Sequence, residues 1–453
     1  MGAASTEDSE EFVVNIKLRY ATLINFVART LSLFASIIFV VGIARRLSVE
    51  EFGIWTLMFK YMSYLAPFRI IYRYWLPRTI ARGNNTSKVG IVLSLILGSL
   101  AVCAYLALTY MVSTAFNQPW FILALASIIV FEDYINEALM GIMVSHSPQY
   151  MGIAALQLRV VQAALGMVLV VMYRLGLIGA VISVIVAKIT ITMLLMIVNY
   201  KVIKKSKFDR EIAYLWIKRS WLPLYASSTA AFLSLDAVLV RMIMGSEVPL
   251  AYYGVSISIL SIVTTSGYAL PTLYSRLLSK GEVRDVIETI WIVFMLATPL
   301  AMLALIYTDT ILSIYNPKYV IASTATRTFI IASMIQLFTA FLGTTLMGLE
   351  KRDFEDFKNF RIRESILFKI PTVNYFATSA YLLSISIFSN ILKYDIILLV
   401  SIWGILYALR FLSLSIVYDI LLRREFRVEL PYSKIFGYFL KFIIACLPMV
   451  IVR

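Results

Sequence analysis

A chain of 453 residues that is 60% hydrophobic and 15% charged, with a mean hydropathy of +0.85, excludes a soluble globular fold, because soluble domains carry about 25% charged residues. The net charge of +15 would suit nucleic acid, but in so apolar a chain it reads as Lys and Arg gathered in cytoplasmic loops, and no nucleic-acid partner is expected. Cys103 and Cys446 both lie in apolar runs and His146 is the single histidine, which leaves no disulfide framework and no metal cluster.

Runs of roughly 20 apolar residues read as membrane-spanning helices. Thirteen follow one another at about 20–43, 52–76, 89–113, 119–144, 150–173, 177–200, 221–243, 250–273, 286–307, 319–348, 371–390, 395–422 and 435–452. The predicted fold class is therefore all-α, a polytopic membrane helical bundle whose short connections imply antiparallel neighbours. An acidic tail at 1–19 lacks a cleaved-signal pattern. The first six helices make one lobe at 20–200, a basic cytoplasmic linker follows at 201–220, and the next six make a second lobe at 221–422. Within that lobe an insertion at 350–370 carries mixed charge with periodic Phe and Ile. It reads either as an amphipathic helix on anionic lipid or as a solvated loop. The additional helix at 435–452 has no place in a six-plus-six plan.

The lobes repeat one another. Phe52-Gly53 answers Tyr253-Gly254, Leu76-Pro77 answers Leu270-Pro271, and Arg82-Gly83 answers Lys280-Gly281. Six helices separate the copies, so the lobes share one orientation about an axis along the membrane normal. With the N-terminus inside, the inner loops hold clusters such as Lys201, Lys204, Lys205, Lys207 and Arg210, while the outer loops hold only Arg45, Arg46, Arg174, Lys318 and Lys393, with Arg453 at the C-terminus. That bias predicts a cytoplasmic N-terminus.

No Walker A loop, GxSxG, HExxH or CxxC occurs, so no catalytic residues, cofactor or metal are expected and the chain reads as a non-enzyme. The informative residues are charges inside the spans, each costing roughly 2.5–3.5 kcal/mol at a helix centre. The cations are Arg29, Lys60, Arg69, Arg73, Arg159, Lys188, Arg241, Arg327, Arg410 and Lys441; the anions are Glu132, Asp133, Glu137 and Asp236. Snorkelling accounts for Arg73 and Lys441, and the remaining positive surplus predicts a cavity built for an anion. Arg29 lies roughly 14 Å into the first helix and shares a face with Asn25. Arg69 and Arg73 share a face beside Pro67, which kinks the second helix. Arg159 and Arg327 complete the expected headgroup set, since arginine grips phosphate bidentately. The alternative is that these arginines hold helix ends or pair with acids on the fourth and seventh helices. Asp133 and Glu137 share one face and Glu132 another, a cluster that either couples H+ or Na+ to transport or neutralises nearby arginines. Asp236 is about 140° around its helix from Arg241, so its partner must come from another helix. Trp75, Trp120, Tyr252 and Tyr253 are read as interfacial anchors.

These residues also carry a resemblance. The turn ARRLSVEEFGIW is similar to the A-R-x-L-[GS]-x-E-x-F-G-x-[YW] signature of lipid-linked oligosaccharide flippases, the polysaccharide exporters of the multidrug/oligosaccharidyl-lipid/polysaccharide exporter superfamily. SLDAVLVRMIMGSEVPLAYYG and LPTLYSRLLSKGE resemble the same family in the second lobe, so that the likeness runs from about residue 15 to 425. The resemblance implies two six-helix lobes around a central cavity that opens alternately to each face. The implied cargo is a polyprenyl- or dolichyl-(di)phosphate-linked glycan carried to the outer leaflet, with Arg29 at the position of a cavity arginine. It also implies a monomer in a plasma membrane whose partners are the glycan substrate and membrane lipids. A cation-coupled drug extruder of the same fold is the runner-up, and a membrane glycosyltransferase or ligase using lipid-linked sugar comes third.

Overall fold

The computed structural model describes residues 18–81, 83–147, 150–270, 283–350 and 365–446, with Leu273, Leu277 and Pro448. The acidic tail up to residue 17, the rest of the exit at 271–282 and residues 351–364 of the insertion lie outside the described residues.

Each of the thirteen apolar runs is largely helical over its described residues. In the first half the helices are α1 (Leu18–Arg46), α2 (Val49–Ser63), α3 (Ile70–Arg73), α4 (Leu76–Ala81), α5 (Ser87–Phe116), α6 (Trp120–Leu125), α7 (Ser127–His146), α8 (Tyr150–Gly166) and α9 (Gly176–Lys205). A short α10 (Arg210–Arg219) leads to the second half, α11 (Trp221–Leu233), α12 (Leu235–Met244), α13 (Val248–Thr264), α14 (Val283–Ile306), α15 (Thr308–Tyr315), α16 (Ser323–Leu349), α17 (Ile366–Ile391), α18 (Ile396–Phe426) and α19 (Tyr432–Ala445). Eight of the described spans are long and apolar enough to cross a membrane. With the fold relatives named below, this makes a multi-pass helical membrane protein.

Several spans are broken rather than continuous. The second passes through a 3-10 turn at Ala66–Arg69 with Pro67 in its first turn, where proline has no N–H to continue an α-helix. Tyr134 donates its hydroxyl to the Leu65 carbonyl there, and Tyr72 donates to the Tyr134 carbonyl at 2.8 Å. The freed backbone group is thus satisfied inside the protein, as hydrocarbon demands. The fourth span breaks at Ala126, the seventh at Ser234, and α8 continues into a π-helical turn at Met167–Met172. The basic stretch read as a linker is largely helical: α9 runs on to Lys205, and α10 starts at Asp209, whose carboxylate caps Glu211 and Ile212.

In the first half α1 packs on α8, α5 on α7, and α9 on both α7 and α8; in the second, α16 packs on α13 and α18, and α17 on α11, α12 and α18. The halves meet where α2 crosses α13. The repeat-related glycines make that crossing: a Cβ on Gly53 would overlap the Glu247 carbonyl, and one on Gly254 would overlap the Thr56 hydroxyl. Small residues let apolar helices approach until their backbones touch. The additional helix α19 lies on α14 through Trp291–Phe442 and Phe294–Phe439, with ring centroids 5.9 and 5.5 Å apart.

Candidate functional site

Two polar centres stand inside the bundle. The first joins the second, fourth and sixth spans. Asp133 on α7 is ion-paired with Lys188 on α9, and Arg69 approaches it only to 3.7 Å. The Arg69 Nε donates weakly to its own Ala66 carbonyl at 3.4 Å. One helical turn on, Arg73 bonds Glu137 at 2.9 Å, with 63% of the Arg73 side chain exposed. Glu132 takes the Thr192 hydroxyl, which also lies against Asn136, and has no ion-pair partner among the described residues. Met62, Ser63, Arg69, Val130, Asp133 and Tyr134 wall a cavity of about 200 Å³ at this place. Because Lys188 already neutralises Asp133, the Arg69 charge faces the cavity largely uncompensated.

The second centre ties the halves together. Asp236, wholly buried, receives Lys60 Nζ from α2 at 3.0 Å, the Tyr381 hydroxyl from α17 at 2.9 Å and the Ala237 N–H at 2.7 Å. Lys60 also donates to the Tyr253 hydroxyl at 2.9 Å. Trp403 donates to Tyr381 at 2.6 Å and stacks on Tyr253, ring centroids 4.2 Å apart. The partner of Asp236 does come from another helix. Close by, Arg410 on α18 is buried with Nε on Thr378 at 3.0 Å and Nη2 on Asn374 at 2.6 Å, its Nη1 without a partner. Thr378 and Tyr381 are three residues apart on α17, so one turn of that helix links the Arg410 and Asp236 environments.

The structure gathers Arg69, Arg73, Glu132, Asp133 and Glu137, and places Asp236, Arg159 and Arg327 elsewhere. Asn25 and Arg29 fall on α1, where their side chains lie outside the described residues. Arg159 is exposed and donates to Gln162 within α8 at 2.9 Å. Arg327 sits in the first turn of α16 and pairs with Asp309 at 2.9 Å, a helix-end contact rather than a cavity wall. The surplus of unmatched cations is also smaller than the spans suggest, because Arg241 and Arg327 take Glu247 and Asp309 from span edges. Tyr253 is not an interfacial anchor but a buried member of the Asp236 centre. Sequence reasoning had no signal for Tyr381 or Trp403; for Tyr253 the repeat offered one, a hydroxyl where the first half has Phe52.

An apolar groove of about 770 Å³ opens between α14, α16, α18 and α19, walled by Phe294, Ile335, Phe338, Phe436 and Phe439. At one end Asp419 holds Tyr432 and Arg423.

Broken helices, two similar halves and polar centres inside the bundle make a fold that this chain shares with solved membrane transporters. Solved structures with this fold include an inward-facing multidrug resistance MATE family transporter of the MOP superfamily, with TM-score 0.64, 14% identity, and 90% of this chain and 98% of that one covered. The lipid II flippase MurJ in an inward closed conformation aligns with TM-score 0.60, 14% identity, and 95% and 91% covered. A MOP superfamily transporter from Pyrococcus furiosus, described by the reverse polarity of its binding pocket, gives 0.56 at 15% identity, with 90% and 94% covered. No protein-family model and no curated relative matches the chain.

Proposed function

We propose that this protein is a flippase that moves a polyprenyl- or dolichyl-(di)phosphate-linked oligosaccharide across a plasma membrane by alternating access, with its N-terminus in the cytoplasm. The observation that carries the reading is Arg69: a guanidinium on a cavity wall that comes no closer than 3.7 Å to Asp133, which Lys188 holds. A planar fork so loosely engaged suits phosphate oxygens. Asn25 and Arg29 join it as headgroup ligands in this reading, whereas Arg159 and Arg327 do not. The apolar groove against α19 gives the lipid tail a dry berth, and gives the additional helix a purpose. Glu132, an acid without a cation, is the coupling residue for H+ or Na+.

A drug extruder of the same fold would need an acidic cavity, and the wall of this one carries Arg69 as well as Asp133. Flipping of a fluorescent polyprenyl-diphosphate oligosaccharide in proteoliposomes tests the proposal. Transport by the parent that is lost in Arg69→Ala and partly kept in Arg69→Lys is expected. Transport of organic cations but not of the glycolipid would overturn it.

A further inference from the structure

A separate groove lies at the C-terminal end of α1. The groove there, about 510 Å³, runs between the last turns of α1 and the π-helical turn after α8, with walls of Ile38, Gly42, Met167 and Val171, and Arg45 and Arg46 at its mouth. Gly42 keeps the floor open: a Cβ there would sit 3.3 Å from the Met167 sulfur and 3.6 Å from Val171. Single π-turns recur at functional positions because they displace the side chains that follow.

Both arginines are exposed, and neither has an ion-pair partner among the described residues. The neighbouring acids are engaged elsewhere. Glu51 accepts the Ser48 N–H at 2.9 Å and abuts Gly176, and Glu50 lies by Tyr252 and Tyr319 of the second half. Arg174, on the loop that leaves the π-helical wall, adds a third exposed cation. Arg45 and Arg46 thus line one cleft, with Arg174 three residues beyond its Val171 wall.

Depth identifies what fits. The 29 residues of α1 rise about 42 Å, more than the roughly 30 Å hydrocarbon core, which is long enough to bring its last turn to headgroup level with Ile38, two turns away, on the acyl-chain side. We infer that this cleft binds one anionic membrane phospholipid, its phosphate forked by Arg45 and Arg46 and an acyl chain laid along Ile38, Met167 and Val171. The cleft is separate from the cargo cavity at Arg69, and the inference does not depend on which cargo is moved.

The test is native mass spectrometry of the full chain released from nanodiscs of phosphatidylcholine doped with phosphatidylglycerol. The parent is expected to retain one phosphatidylglycerol, with about tenfold lower retention in Arg45→Gln/Arg46→Gln, as loss of charge-assisted bonds predicts. Ile38→Trp, which fills the cleft but keeps both charges, should lower retention as well. Melting in pure phosphatidylcholine, unchanged in both variants, establishes that they fold. Equal retention of phosphatidylcholine by the parent, or unchanged retention by both variants, overturns the inference. So does displacement of the bound lipid by a prenyl diphosphate, which would make the cleft a cargo site.

Discussion

The two polar centres use the same kinds of residue to opposite ends. Around Arg69 the charges are partly exposed and set beside a cavity, and Arg69 itself comes no closer than 3.7 Å to Asp133. Around Asp236 the carboxylate is wholly buried, its bonds run between 2.7 and 3.4 Å, and the Tyr253 ring, with Trp403 stacked on it, faces Lys60. A buried ion pair contributes little net stability but is costly to break, whereas a long contact beside a cavity can give way to a ligand. The second centre ties the halves together; the first, in the proposed reading, serves binding.

Substitutions should separate the two. The largest effect is expected from Asp236→Asn, which strands Lys60 and removes the nearest acid to Arg410; a loss of about 3–5 kcal/mol should appear in thermal melting, and Lys60→Met/Asp236→Leu should recover part of it. Next comes the α2–α13 crossing. Gly53→Ala meets a backbone carbonyl that cannot rotate away and should cost about 1–3 kcal/mol, more than Gly254→Ala, which meets the Thr56 side chain. If the two alanines melt alike, the crossing is not the tight contact described. Arg69→Ala should change melting by less than about 1 kcal/mol while abolishing glycolipid flipping, and a large stability loss there would blur the distinction between the centres. Arg73→Ala, removing a pair that is mostly in solvent, should be the mildest in both assays.

Much of this was legible in the sequence because hydrocarbon imposes simple rules. Apolar runs of spanning length located the spans, though not the short basic helix α10, and Pro67 announced the break in the second span. The angular separation of Asp236 from Arg241 sent its partner to another helix. What stayed hidden was which helix: Lys60 and Asp236 are 176 residues apart, and no local pattern encodes that adjacency. The count of charges within spans overlooked Glu247 and Asp309 because a helix end draws its counter-charge from the adjoining turn. The glycines of the α2–α13 crossing were visible as the best-matched dipeptides of the repeat, but only packing explains why those positions match.

The broken second span has a mechanical consequence. Its upper piece, α2, is tied to the second half through Lys60 and Gly53, while its lower piece, α4, packs on α7 of the first half. One stretch of chain therefore belongs to both bodies. Any rotation of one half against the other must be absorbed between these anchorages, at the 3-10 turn that carries Arg69. Under the proposed function, the residue that grips the cargo sits on the joint itself, so a change of angle between the halves would change its grip.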